Sequence, residues 1–592
     1  MRGGSAASMR GGSAASVRGG AAGCFLRIMK EEFAFLFPPP GSVRFKGGTL
    51  DIRSVCFPLE LFKKFDFLFE RFGVRNRARG LQVVILEPAF SSPAKGAGQS
   101  GEEYVIDCGA GGVTLSAATP RGQFYALSTL LQVLSFYAAS GAMPAFSLRD
   151  SPVTAFRGAC FFRAEAAAAA DPLALQRLFL DLALLKFNCL VWPCDPASGS
   201  AGEWKALAAL ARRTGIETLF LDTAPGALSR PAAAGSLPAR PLRAPGGEAW
   251  IDFFLEQCRA AKLHGVVTAA WSDPFLERPE WIRKIPREVL VLNRGAETGH
   301  GERLRAAIQP FREHHVRQVL CPSLCGLGSD GERRFGRILP DGRAAMARVD
   351  AACAAAAAAK LAGVLLIHGE SQEGGCLPQG AALVRFQAGC RLWSGRPSTP
   401  AAFGRWALDR DEPDLYRVCS FLAQSEDRLP YDHARYLFED PLLAPCSRQG
   451  DPRQVVAHYR KAAQYLKKRE IAPGRMSGFL DFVAGLHEVI AAKVDLSSRL
   501  AALLEDAGGA ETLALQAAWL QGAVAGLEEL YVELVAAPAP GMLKGFAFLG
   551  ERFAQLGRVT ASPGARESLL TVLRSSALLD AGELPPAGRF PS

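Results

Sequence analysis

Asp195, Asp222, Asp273, Asn293, Arg294, His368, Glu370 and Glu373 each stand at or just beyond the end of a short apolar run, so the fold can present them at an edge. Asp273 and Glu370 are candidates for an acid–base pair, with Asp222 as a third acid. Such a pair must flank the bond it acts on, so separation decides between this reading and that of solvated loop ends. Arg157 offers two parallel hydrogen bonds to neighbouring oxygens, or a salt bridge to a nearby acid. Trp271 is either a stacking floor for a ligand or a core aromatic at a strand end. No cofactor is expected and no metal site is read. The 14 cysteines contain no Cys-x-x-Cys, and Cys321 and Cys325 have no second pair. His314-His315 and His264 have no matching ligands.

The elements that must position these groups come in three blocks. In residues 23–150, LQVVIL (81–86), EYVID and GVTLSA read as strands. TPRGQFYALSTLLQVLSFY carries Phe124, Leu127, Leu131 and Leu134 at helical spacing, with Thr119 to cap and Pro120 in the first turn. In residues 151–400, apolar strands alternate with Ala/Leu-rich helices: 156–162, 187–193, 216–222, 265–271, 289–293, 317–322 and 363–369. This α/β pattern predicts a (β/α)8 barrel of the triosephosphate-isomerase type, or a doubly wound sheet. Seven strands are legible. The gap between Asp222 and Gly265 predicts a barrel incomplete at strand 4. Residues 401–580 read as amphipathic helices and 581–592 as a tail.

The net charge of +10 comes from 68 basic and 58 acidic residues that are mostly interspersed. No basic block alternates with aromatics, which argues against nucleic acid as a partner. No apolar run is long enough to span a membrane. Residues 1–22 repeat MRGGSAAS and read as disordered; Met29 is an alternative start. Cysteines inside apolar runs, such as Cys160, Cys189 and Cys390, behave as small hydrophobes, which fits a cytoplasmic location. The helical block is a candidate surface for a protein partner.

From Glu102 the chain resembles glycoside hydrolase family 20, the β-N-acetylhexosaminidases. Gly122, Phe124, Tyr125, Thr129, Leu130 and Gln132 match the helix of that family's small α/β domain. Asp150, Pro152, Arg157 and Gly158 match the entry into its first barrel strand, and LKFN its second. Trp271, Asp273, Pro279 and Glu280 match its fifth and sixth strands. CPSLCGLGS and GVLLIHGESQEGG stand where its bacterial branch has two further turns. The resemblance implies an amino-sugar or oligosaccharide ligand. Arg157 resembles the Arg that holds sugar hydroxyls in the family, while Trp271, Asn293, Arg294 and Glu373 are read as substrate-binding from their places at the strand ends.

In that family the sugar's 2-acetamido oxygen attacks the anomeric carbon. An Asp orients the acetamide, and the adjacent Glu protonates the leaving oxygen. The pair follows strand four. Here the only Asp-Glu dipeptide is Asp411-Glu412, beyond the last strand. Other positions depart as well. Phe162 replaces an Asp, Ala227 a His, and Ile367 or His368 a Trp. Arg294 stands near a Trp position, and Glu370 where an Asp is expected. These changes predict impaired or lost hydrolysis. The alternatives are an active exo-β-N-acetylhexosaminidase with replacement acids, and a non-catalytic scaffold.

Overall fold

Alternation of buried and half-buried residues along β4 (Tyr104–Gly109) and β5 (Gly112–Ala117) makes one face of a sheet apolar, and α3 (Pro120–Tyr137) covers it. The computed structural model describes residues 33–86, 101–161, 172–194, 211, 213–222, 236–238, 248–263, 268–294, 301–324, 339–340, 342–368, 377, 379–408, 410, 412–424, 433–438, 451–468, 476–506, 508–534 and 540–579. The other strands of this first sheet are β1 (Ser42–Asp51), β2 (Val55–Cys56), β3 (Leu81–Leu86) and β6 (Ala142–Asp150). Their order is β1-β6-β4-β5-β3-β2, with β3 parallel to β5 and to β2, and the remaining pairs antiparallel. Two short helices, α1 (Leu59–Lys64) and α2 (Asp66–Phe72), connect β2 to β3. Thr119 caps α3, its Oγ1 accepting from the Gly122 amide at 3.1 Å, and Phe124, Leu127, Leu131 and Leu134 are buried. The residue patterning of this helix is therefore also its packing.

The second sheet holds eight parallel strands: β7 (Phe156–Phe161), β8 (Cys189–Cys194), β9 (Glu217–Asp222), β10 (Ser236–Pro238), β11 (Ala269–Trp271), β12 (Leu290–Asn293), β13 (Arg317–Leu320) and β14 (Gly363–His368). Their order, β10-β9-β8-β7-β14-β13-β12-β11, pairs the first strand with the last and makes a TIM-like parallel half-barrel. Among the described residues no ladder joins β10 to β11. The expectation that strand 4 is missing is corrected: Ser236, Leu237 and Pro238 pair with Phe220, Leu221 and Asp222. Three residues ending in a proline give no apolar run, and proline is tolerated at a strand terminus. Gly363 (φ +156°) faces Phe156, whose carbonyl oxygen would lie 2.1 Å from a Cβ there, so glycine lets β14 close onto β7.

Helices α4 (Pro172–Leu184), α5 (Glu248–Leu263), α6 (Asp273–Glu277), α7 (Glu302–Glu313), α8 (Gly342–Ala359) and α9 (Ala382–Ser394) accompany this sheet. Eight more follow: α10 (Pro400–Leu408), α11 (Pro413–Gln424), α12 (His433–Phe438), α13 (Pro452–Lys467), α14 (Ser477–Glu505), α15 (Gly509–Leu534), α16 (Pro540–Thr560) and α17 (Pro563–Leu579). Asp451 caps α13 through the Arg453 amide at 3.0 Å. No described helix is long and apolar enough to cross a membrane.

Candidate functional site

Cys160, Cys189, Val191, Ala269, Leu290, Leu292, Val319, Cys321, Leu365 and Ile367 form one buried cluster within the parallel sheet, and Trp271 packs against it. It carries no charged side chain. Chemistry therefore belongs at the ends of the strands.

At the C-terminal ends, Trp271 and Arg294 come together. Trp271 pairs in register with Leu292, and the half-buried guanidinium of Arg294 lies 5.5 Å from the Trp271 ring centroid. The Arg294 amide donates to Ser272 Oγ at 3.3 Å. Asp273 stands exposed in the first turn of α6, on the residue after Ser272. The pair presents an aromatic surface beside planar donors, an arrangement that can bind a hydroxylated or anionic ring.

Other predicted residues are placed elsewhere. Asn293 is fully buried and spends its amide on the structure: Nδ2 donates to Ala307 O of α7 at 2.8 Å and to Gln318 Oε1 at 3.0 Å. Residues alternate along β12, so Leu292 faces the inner cluster and Asn293 faces α7. His368 is buried under the helical layer, stacked on Phe161 at 4.4 Å, with Arg385 of α9 over the other end of that group. Burial, reinforced by Arg385, holds its pKa well below the usual histidine range. Asp222 ends β9 opposite Cys194 and Pro238, and its side chain is outside the described residues. Asp195, Glu370 and Glu373 also lie outside them, as does Asp411. Among the described residues no group of three His, Cys, Asp or Glu side chains could hold a metal ion. Burial pushes the Cys108, Cys258 and Cys419 thiols up to about 12, so they are inert hydrophobes at neutral pH.

Arg157 sits at the opposite, N-terminal end of β7, where the two sheets meet. Its guanidinium is 1% exposed and fully used: Nη2 donates to Glu102 Oε2 at 2.6 Å, Nε to Lys186 O at 2.8 Å, and Nη1 to Thr154 O and Ala155 O at 2.7 and 2.9 Å. Of its two sequence readings, the structure has the ion pair, and the guanidinium lies at the end of β7 opposite the C-terminal strand ends. Glu102 Oε1 also takes Arg121 Nη1 at 2.9 Å and Asn188 Nδ2 at 3.1 Å. A second ion pair lies beside it. Lys186 Nζ donates to Asp150 Oδ2 and Tyr104 Oη, each at 2.7 Å, and Trp393 Nε1 donates to the same Asp150 oxygen at 2.9 Å. Burial pulls the Lys186 pKa down while Asp150 opposes it, and burial with Asp150 nearby drives the Tyr104 phenol well up. Glu102 was given no role in the sequence, and Lys186 stood there only as part of the second-strand match LKFN. The signal was there in LALLKFN, where one lysine inside an apolar run demands a buried partner.

The acids of this junction, Glu102 and Asp150, both come from the first sheet and its margins. Residues 35–151 match the family model for glycosyl hydrolase family 20, domain 2. No curated protein matches the chain. Among solved structures, a GH138 enzyme targeting pectin rhamnogalacturonan II aligns at 9% identity over 89% of this chain and 99% of its own, with a TM-score of 0.51. That likeness is one of fold. A Flavobacterium johnsoniae chitobiase aligns at 15% identity over 93% of this chain and 95% of its own, with a TM-score of 0.44. A Streptomyces plicatus N-acetyl-β-hexosaminidase aligns at 15% identity over 67% and 95%, with a TM-score of 0.42.

Proposed function

We propose that this chain is a carbohydrate-binding relative of the family 20 β-N-acetylhexosaminidases in which hydrolysis is impaired or lost. In this reading the eight parallel strands close as a (β/α)8 barrel behind a family 20 domain 2, and the strand ends hold an amino-sugar or oligosaccharide. One observation carries the loss of chemistry. Strand four is present as β10, but Ala239 and Arg240 follow it, and no carboxylate occurs between Asp222 and Glu248. A substrate-assisted mechanism needs one acid to hold the acetamide and another to protonate the leaving oxygen. Trp271 can stack on a sugar face and Arg294 can donate to its oxygens. An arginine stays protonated throughout the neutral range and supplies no proton to a leaving group there. Binding is therefore retained in this reading and proton transfer is not.

The test incubates the full chain with a chromogenic β-N-acetylglucosaminide and titrates it with a thiazoline inhibitor. The expected result is no dye release above buffer, with inhibitor binding that Trp271→Ala weakens about tenfold or more, the loss of one stacked ring. Dye release that vanishes in Asp273→Asn or Glu370→Gln would establish replacement acids and overturn the proposal. Absence of both release and binding would favour the scaffold reading, with the helical block as the protein-binding surface.

A further inference from the structure

The C-terminal helices hold a second arrangement suited to a sugar, remote in sequence from the barrel. Helices α13, α14 and α15 pack side by side, and between them opens a cavity of about 290 Å³ lined by Arg460, Ala492, Asp495, Leu515, Gln516 and Trp519. Two of these side chains are large, apolar and out in solvent: Leu515 is 68% exposed and Trp519 is 52% exposed. They sit one turn apart on α15, so they form one continuous apolar wall. The facing wall is polar. Asp495 takes Arg460 at 3.3 Å and Arg499 at 2.7 Å, both on Oδ2, leaving Oδ1 with no partner among the described residues. Arg460 uses only Nη2 in that contact, so its other N–H groups remain available. Gln516 Oε1 has no hydrogen-bond partner among the described residues, and rotation of its terminal torsion, which is soft, turns the amide toward the cavity.

We propose that this cavity is a non-catalytic subsite for one pyranose ring of a neutral oligosaccharide. A pyranose has an apolar face of C–H bonds and an equatorial belt of hydroxyls that both donate and accept. The cavity matches it part for part: the indole for the face, Asp495 Oδ1 as acceptor, and Arg460 and Gln516 as donors. Its size is at the lower end of small-molecule pockets, which suits a single ring. A second copy of the chain suits it less. One Trp and one Leu are far from the roughly 800 Å² per partner of a stable interface, and a dry protein surface would desolvate Asp495 without completing its hydrogen bonds. The site goes beyond the barrel reading and stands without it.

The experiment titrates the full chain with chito-oligosaccharides and cello-oligosaccharides of two to six residues. Calorimetry and tryptophan fluorescence follow binding, and sedimentation velocity runs in parallel. With the strand-end site saturated by the thiazoline inhibitor, the proposal expects oligosaccharide binding that Trp519→Ala weakens at least tenfold and Gln516→Ala weakens severalfold. Trp519 is exposed, so its removal leaves the fold intact. Binding unchanged in Trp519→Ala, or no oligosaccharide bound by the parent chain, overturns the proposal. A dimer that becomes a monomer in Trp519→Ala would also overturn it, assigning the patch to self-association. Binding lost only in Trp271→Ala would sink this site while supporting the barrel reading.

Discussion

Asp150 is the residue on which most of the junction converges. One of its oxygens accepts from Tyr104, Lys186 and Trp393, and the other accepts from the Gly41 and Ser151 amides at 2.9 and 3.1 Å. Lys186 is fully buried and holds φ +60°, a conformation a side-chain-bearing residue keeps only when its surroundings fix it. Asp150→Ala removes the charge that offsets a buried ammonium, so it is expected to cost about 3–5 kcal/mol. Asp150→Asn keeps the shape and some acceptors and should cost less. Urea unfolding of both variants checks this, and equal losses would show that the charge alone, rather than the shape and remaining acceptors of the side chain, holds the site. Asp150, Arg157 and Gly158 were legible in the sequence as a matched string, but their task was not. The string placed Arg157 at the start of a strand without saying which end of the sheet its guanidinium would face. Glu102, 55 residues earlier, is what turns it away from a ligand.

Elements were read well where periodicity was long and badly where it was short. β3 and β5 are found where the apolar runs put them, and α3 begins at Pro120 behind its Thr119 cap. β10 escaped because three residues carry no period, and only its neighbour β9 defines it. β1 and β6 were not drawn as strands, since their pairing spans about a hundred residues of sequence and no local signal records it. The helical block hides another element-level feature. His433 of α12 and His487 of α14 are buried with their Nε2 atoms 3.0 Å apart, so one donates and the other accepts. His458 and Tyr459 of α13 and Tyr436 of α12 surround them, and Lys493 on α14 donates to the Tyr436 and Leu437 carbonyls at 2.8 and 2.7 Å. Burial, with His433 and His458 nearby, holds the His487 pKa well below 6.5. The unfolded chain protonates this imidazole near 6.5 while the folded chain does not. Stability is therefore full above that pH and falls as the pH drops below it, by about 1.4 kcal/mol per unit for each such imidazole. His487→Phe should flatten the decline between pH 7.5 and 5.5 in denaturant unfolding. A slope identical to the parent's would exclude this pair as its source.

On the scale of the molecule, the first sheet closes the N-terminal end of the parallel sheet. The closure depends on two cations from one unit and two carboxylates from the other: Arg157 with Glu102, and Lys186 with Asp150, all at 0–1% exposure. Each pair broken by loss of its acid costs about 3–5 kcal/mol, against a total stability of about 5–15 kcal/mol for a typical domain. Removing residues 1–151 takes away both acids at once and also uncovers Trp393, which stacks between the two cations at 4.9 and 4.4 Å. The remaining chain is thus expected to be insoluble or to lack a cooperative melt. Soluble expression and near-UV circular dichroism of the truncated chain decide it. A truncated chain that melts like the parent would mean the first unit is an accessory to the parallel sheet. The expected outcome makes it the floor of the parallel sheet, with the residues matched to domain 2 and those at the start of β7 and β8 joined in one buried ionic junction.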